Sequence, residues 1–231
     1  MRRLHGLRQA LPAQCHPLDW RCMKMKRYDI LLAGVGGQGL MLLSTVMGEA
    51  CTRKGLDVVV GAQHGLSQRS GSISAHVRIG GFHSPLIPYG SADLIIAMEA
   101  MEALRYVEYL RDGGHVVMNS RIMHPVTETG MLVQRRRENL PYVTLEQLLG
   151  GLGKITSNIL PIEANRLAEE SGNLRTENMV LLGAASSLEG FPLDEGTLKE
   201  AIRSNVPERT IEANLKAFDL GAKEAIFLRR N

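Results

Sequence analysis

From Tyr28 onward, short apolar runs alternate with segments whose apolar residues recur every three or four positions. YDILLA (28–33) is short and continuous, which predicts a buried strand. LMLLSTVMGEACTRKG (40–55) carries apolar residues at 40, 43, 47 and 50, flanked by 42 and 46. That is one broad helix face, and Gly55 terminates it. LDVVVG (56–61) predicts a second strand. SISAHVRIG (72–80) alternates strictly: Ile73, Ala75, Val77 and Ile79 face one way, Ser74, His76 and Arg78 the other. Such alternation predicts a half-buried strand, antiparallel or near an edge. ADLIIAM (92–98) is another buried strand, followed by an amphipathic helix over about 99–110. GHVVMNS (114–120) is the next strand, and HPVTETG (124–130) a turn-rich connection. Helices are expected over about 157–171, 177–188, 194–204 and 208–229, the last with Ile211, Leu215, Phe218 and Ala222 along one stripe. The whole predicts an α/β fold: a Rossmann-like open, mainly parallel sheet with helices on both faces and a helical C-terminal portion.

The first 26 residues do not share this pattern. They hold Arg2, Arg3, Arg8 and Arg21 against one acid, Asp19, and lack the apolar stretch of a secretory signal. They read as a leader that is poorly packed, or that lies upstream of a true start at Met23 or Met25; a transit peptide is the other reading. A single domain then spans 27–231. An apolar fraction of 44% in 231 residues can bury a sizeable core. The net charge of +3 is scattered rather than clustered, which points away from nucleic acid. No run approaches the ~20 apolar residues of a membrane span. Cys15, Cys22 and Cys51 form no CxxC pair, which points away from a zinc or iron–sulfur site in this chain and fits a reducing, cytoplasmic compartment.

The most conspicuous motif is GVGGQG, between the first strand and the first helix. Gly34, Gly36 and Gly39 satisfy G-x-G-x-x-G. In that pattern the first glycine permits a tight turn, the second lets backbone approach a ligand, and the third allows helix and strand to pack closely. Gly37 adds room, and Gln38 is placed to hydrogen-bond whatever sits there. The following helix start offers free N–H groups and a partial positive charge to an anion. A bare strand–helix crossover with nothing bound is the competing reading. Dinucleotide folds also place an acid at the end of the second strand to hold ribose hydroxyls. Here that end reads VVVGAQHG, and Asp57 stands at the strand's start. The pattern therefore disfavours NAD and leaves another phosphate-bearing ligand open.

A second stretch, GAQHGLSQRSGSISAHVRIG (61–80), follows the second strand and is expected to border the same crevice. It brings Gln68, Arg69 and Ser70. Arg69 has the planar fork suited to a phosphate or a partner carboxylate. Glu99 and Glu102, at the start of a helix, read as carboxylates that favour the helix dipole rather than as an acid–base pair. No nucleophile–base arrangement is evident.

GVGGQG, GAQHGLSQRSGSISAHVRIG, SPLIPYGSADLIIAMEAMEALR, GGHVVMNS and VPERTIEANLKAFDLG occur in this order. Together they resemble the beta subunits of indolepyruvate:ferredoxin oxidoreductases, within the gamma-type domain of 2-oxoacid:ferredoxin oxidoreductases, over about residues 27–225. The resemblance implies oxidative decarboxylation of an aryl 2-oxoacid to an acyl-coenzyme A, with ferredoxin as electron acceptor. It places thiamine diphosphate and iron–sulfur clusters on a partner alpha subunit. Gly34, Gly36, Gly37, Gln38 and Gly39 would then face a phosphate of coenzyme A, and Gln68, Arg69 and Ser70 would line the same crevice or the subunit contact. A gamma subunit of a pyruvate, 2-oxoisovalerate or 2-oxoglutarate enzyme, or a stand-alone nucleotide-binding protein, are the alternatives. One departure stands out: the family usually reads Arg-Gly-Gly where this chain has Arg69-Ser70-Gly71, which puts the local loop geometry in question. No residue here supplies an electron sink, so an obligate hetero-oligomer with an exposed apolar face is expected.

Overall fold

The computed structural model describes residues 27–64, 71–123 and 143–230. Among these residues six strands form one sheet: β1 (Tyr28–Val35), β2 (Val58–His64), β3 (Ser72–Ile79), β4 (Ala92–Ala97), β5 (Leu110–Asn119) and β6 (Ile159–Ile162). Their order is β2-β3-β1-β4-β5-β6. β1, β4, β5 and β6 pair in parallel, whereas β3 is antiparallel to both neighbours, β1 and β2. Only β3 among the six therefore runs against the rest. The helices are α1 (Leu40–Arg53), α2 (Ala100–Arg105), α3 (Leu145–Leu152), α4 (Ala164–Ser171), α5 (Glu177–Ser186), α6 (Glu195–Asn205) and α7 (Ile211–Leu228).

β1 shows why its sequence is continuously apolar from Ile30 onward. Ile30 and Leu32 enter a core shared with α1, α4, α5, α6 and α7. Leu31 and Ala33 enter a second core with Ala100 and Ala103 of α2 and Leu148 and Leu152 of α3. A strand covered on both faces has no solvent side to reserve for polar residues.

Three expectations are revised. β3 is antiparallel, as its alternation predicted, but it lies inside the sheet and its polar face is buried too: Ser74, His76 and Arg78 are all almost inaccessible. The segment between β3 and β4 covers His76 and Arg78. Arg78 forks onto Asp29 (2.9 and 3.0 Å) and donates to the carbonyls of Ser84 (3.2 Å) and Leu86 (2.9 Å), with the Phe82 ring 3.7 Å away. The alternation thus marks two different coverings rather than core against water. Second, 157–171 is not one helix. Ile159–Ile162 adds a strand at the sheet edge and α4 follows from Ala164. Pro161, which lacks an amide hydrogen, is tolerated on an edge strand but breaks a helix interior. Third, the helix expected over 99–110 ends at Arg105, and a 3-10 turn, Val107–Tyr109, leads directly into β5. α3 was not foreseen from apolar spacing, yet its start carries a capping box between Thr144 and Gln147.

α5 and α7 cross at two glycines. A Cβ on Gly183 would stand 1.9 Å from the Phe218 carbonyl oxygen, and one on Gly221 would stand 1.9 Å from that of Val180. The obstacles are backbone atoms, so no rotamer change relieves them. Gly221→Ala is expected to lower stability by about 3 kcal/mol through overpacking, read by thermal denaturation. Gly150→Ala, on the exposed side of α3 with open space around it, should instead stabilise by about 0.5–1 kcal/mol.

His76 generates a pH dependence. Its Nδ1 accepts from the Ile87 N–H (3.2 Å), which assigns the neutral ring's proton to Nε2, a buried atom without a partner among the described residues. Burial, then the nearby Arg78 charge, push its pKa below the ordinary 6.5, against a smaller opposing effect of Asp29. The unfolded chain therefore takes up this proton first, and stability falls as pH drops below about 6.5. His76→Asn should flatten that fall by up to about 1.4 kcal/mol per pH unit in denaturant titrations at pH 7 and pH 5. His115, whose pKa is also lowered by burial, keeps part of the slope in the variant.

Candidate active-site crevice

The chain leaves β1 through α1, which packs on one face of the sheet, and leaves β4 through α2, which packs on the other. The adjacent C-terminal ends of β1 and β4 are therefore a topological switch point, where open α/β sheets form their ligand crevice. The glycine loop lies there.

Within the loop each predicted residue has a distinct place. Gly34 ends close to Met98: a Cβ on it would stand 3.0 Å from the Met98 Cβ and 2.8 Å from the Gln38 Oε1. The Gly36 N–H donates to the Gly71 carbonyl (3.1 Å), extending the β1–β3 ladder one residue into the loop. Gly37 has φ +97° and open space where a side chain would project. Gly39 has φ +78° and caps α1, and its missing Cβ leaves room for the Asn178 amide. That amide donates to the Gly39 carbonyl (3.3 Å).

Gln38 serves the loop itself. Its Oε1 accepts from the Val35 N–H (2.7 Å), and its Nε2 donates to the Met98 carbonyl (3.4 Å) and lies 3.5 Å from the Met123 sulfur. The carboxamide thus joins the ends of β1 and β4 across the switch point. What faces outward is the start of α1, with no side-chain cap and no acid in its first turn. Those N–H groups and the partial positive charge are the loop's offer to an anion. Gln68, Arg69 and Ser70 lie outside the described residues.

The ribose-acid criterion also takes a structural form. β3 occupies the place beside β1 that the second strand holds in a dinucleotide fold, so β2 is one strand farther out. Asp57 sits at the opposite edge, its carbonyl accepting from the Gly80 N–H.

A polar cluster that sequence reasoning missed flanks the loop. Asn119 at the end of β5 donates to Asn165 Oδ1 (3.1 Å) and Glu177 Oε2 (3.2 Å), and Asn165 donates to Glu177 Oε1 (2.6 Å). Arg121 lies 3.6 Å from Glu177 and is half exposed. Burial raises the Glu177 pKa, and Arg121 opposes the rise. Glu177 and Asn178 are neighbours at the start of α5, so the cluster and the loop share one support. Glu99 caps α2, its Oε2 accepting from the Glu102 N–H (3.1 Å) and its Oε1 from the Met123 N–H (2.9 Å). Burial raises its pKa while those backbone donors lower it. A carboxylate so engaged is a cap rather than a proton shuttle, in line with its sequence position. The signal for the missed cluster was slight: two asparagines and a glutamate at the edges of predicted elements. Among the described residues no group of three or more His, Cys, Asp or Glu side chains is placed to hold a metal ion.

Residues 29–224 match the family model described as pyruvate ferredoxin/flavodoxin oxidoreductase. The chain belongs to this family. The indolepyruvate oxidoreductase subunit IorB of Thermococcus kodakarensis is 42% identical over 203 residues, covering 87% of this chain and 97% of that protein. The keto/oxoacid ferredoxin oxidoreductase gamma subunit of Geobacter sulfurreducens superimposes with a TM-score of 0.62 at 26% identity, over 87% of this chain and 99% of that one. The 2-oxoglutarate:ferredoxin oxidoreductase of Magnetococcus marinus, solved with 2-oxoglutarate, coenzyme A and succinyl-CoA bound, shares the fold at 24% identity and a TM-score of 0.63. This chain spans 87% of its own length there but 31% of that longer chain, so the same fold also occurs as part of a larger polypeptide.

The crevice has an apolar rim: Met41 and Met123 are both exposed beside the glycine loop. Leu86 and Tyr89 are exposed on the covering segment between β3 and β4. No helix among the described residues is long and apolar enough to cross a membrane. Gln38→Ala removes the side-chain acceptor of the Val35 N–H and the link to Met98. It should cost about 1–2 kcal/mol in denaturant unfolding, whereas Gln38→Glu, which keeps an acceptor at the same reach, should recover part of that loss.

Proposed function

We propose that this chain is a subunit of an indolepyruvate oxidoreductase and contributes the phosphate-binding wall of its coenzyme A site. The observation that carries the assignment is the identity to the Thermococcus subunit over nearly the full length of that protein. The reaction is the oxidative decarboxylation of an aryl 2-oxoacid. The bond between carboxylate and carbonyl carbon breaks, carbon dioxide leaves, and the acyl carbon joins the coenzyme A sulfur. The thiol proton is released, and two electrons pass singly to ferredoxin. Thiamine diphosphate and iron–sulfur clusters on a partner alpha subunit would supply the electron sink and the one-electron path.

This chain's own residues bind and orient. The uncapped, acid-free start of α1 suits a phosphate, and the open space over Gly37 lets the anion approach backbone. Arg121, half exposed beside Glu177, adds a guanidinium at the same edge of the sheet. Arg69 is a second candidate cation from the sequence. The Magnetococcus structure holds coenzyme A, but at that identity the likeness carries the fold alone, and the loop's own chemistry supports the ligand. The exposed methionines at the rim fit contact with the partner that completes the crevice.

Met41→Glu tests this. Met41 is exposed in the first turn of α1, so a carboxylate there favours the helix dipole yet repels an incoming phosphate. In the complex reconstituted with its alpha subunit, the KM for coenzyme A should rise about fivefold to tenfold while thermal stability holds or improves. An unchanged KM would remove the glycine loop from coenzyme A binding. The same complex should prefer indolepyruvate to pyruvate or 2-oxoglutarate, and a purified chain that decarboxylated any of them alone would defeat the subunit assignment.

A further inference from the structure

The first residue of β3 is tied to α2 by a side-chain cluster that the chemistry above does not use. The Ser72 hydroxyl donates to Glu102 Oε2, and its oxygen lies 3.0 Å from the Tyr106 hydroxyl. Ser72 has one proton and gives it to the carboxylate, so the tyrosine must be the donor in the second bond. Glu102 is buried to 4% exposure on α2, and its Oε1 accepts from the Arg105 Nε (3.1 Å). A serine, a buried carboxylate and a tyrosine thus close on one oxygen.

The residue before Ser72 carries the consequence. The Gly71 carbonyl is the acceptor for the Gly36 N–H, the contact that holds the second glycine of the loop. The path runs from Glu102 and Tyr106, through the Ser72 side chain and one peptide unit, to the loop backbone. Val35 pairs with Ser72 in the β1–β3 ladder, so the loop starts where the tie is made. Glu102 stands on α2 and Tyr106 at its C-terminal cap; the N-terminal cap Glu99 also takes the Met123 N–H, and Met123 meets Gln38. The far side of the loop is therefore referred to the same short helix.

We infer that Ser72, Glu102 and Tyr106 are positioning residues: they set where the Gly71 carbonyl stands, and with it the opening of the glycine loop toward its ligand. This rests on the reading of the loop as the coenzyme A phosphate site. A chain that only needed a stable sheet would not require it, because the ladder hydrogen bonds already join β1 to β3. The buried Glu102 carboxylate needs partners to offset its lost hydration, and Ser72 is one of the two it has among the described residues, so the tie is firmly held.

Ser72→Ala breaks both bonds with the loss of one oxygen, and Tyr106→Phe breaks one of them with the ring kept. In the reconstituted complex, Ser72→Ala should raise the KM for coenzyme A about tenfold, the scale of one lost hydrogen bond. Tyr106→Phe should raise it by less. The kcat at saturating coenzyme A should stay within about twofold, because the bond-breaking groups are untouched. Glu102→Gln, which keeps an acceptor for Ser72, should stay near wild type while Glu102→Ala follows Ser72→Ala. Amide hydrogen exchange of the peptide containing Gly36, measured in the same complexes without coenzyme A, should accelerate in Ser72→Ala and Glu102→Ala. A purely structural cluster would lower Tm and move neither readout at fixed temperature. If exchange accelerates and Met41→Glu raises the KM, but Ser72→Ala and Tyr106→Phe leave it unmoved, the positioning role is overturned and the coenzyme A reading stands. If Met41→Glu also leaves the KM unmoved, the coenzyme A reading fails and this role fails with it.

Discussion

The approach of α5 to α7 constrains everything at the crevice. Gly183 and Gly221 let two helix backbones meet where any side chain would collide with a carbonyl. That contact fixes how far α5 reaches along the sheet, and its first two residues are Glu177 and Asn178. Asn178 holds the Gly39 carbonyl at the cap of α1. Glu177 gathers the amides of Asn119 and Asn165 from the ends of β5 and the start of α4. A shift of α5 along its axis would displace the glycine loop and the polar cluster together. Van der Waals contact between backbones is short-ranged and unyielding, so it transmits position with little play.

Stability and recognition are separated along the strands. At the N-terminal edge of the sheet, Asp29 and Arg78 form a buried bidentate pair, and Arg111 binds Asp93. Arg78 also meets two carbonyls and a ring, so its charge is fully engaged. At the C-terminal edge, donors are left facing outward: the first-turn N–H groups of α1 and the half-exposed guanidinium of Arg121. Carboxylates there are turned inward, Glu99 onto backbone donors and Glu177 onto carboxamides. An edge whose acids are occupied and whose amides are free carries a field suited to an anion. The same division lets the covering segment between β3 and β4 close one end while the other stays open.

Polar side chains at this edge mostly hold the crevice in shape. Gln38 spends its carboxamide joining β1 to β4, and Ser72 spends its hydroxyl on α2. A loop with several glycines has much conformational freedom to lose, and these bonds limit where it goes. Such an arrangement suits a subunit that presents a ligand to chemistry carried out by another chain: preorganisation matters more than reactivity.

The order of elements, the continuous apolar strands and the glycine loop at a strand–helix junction were legible because periodicity and backbone tolerance are local properties. Asp57 at the wrong end of its strand was equally visible. Other features were not. The alternation of β3 has the same appearance whether its polar side meets water or a covering segment; burial of that side depended on the residues after β3 folding over it, and its place inside the sheet on β2 pairing along its other edge. Pro161 was the available sign that 157–171 divides, but an edge strand of four residues leaves little periodicity to read. The inward turn of Gln38, the gathering of Asn119, Asn165 and Glu177, and the tie between Ser72 and α2 span separations of 60, 58 and 30 residues. Sequence determined which backbone segments form and where the chain can bend. Tertiary structure decided which polar groups are spent on one another and which remain for a ligand, because hydrogen bonds depend on distances that only the packed helices set.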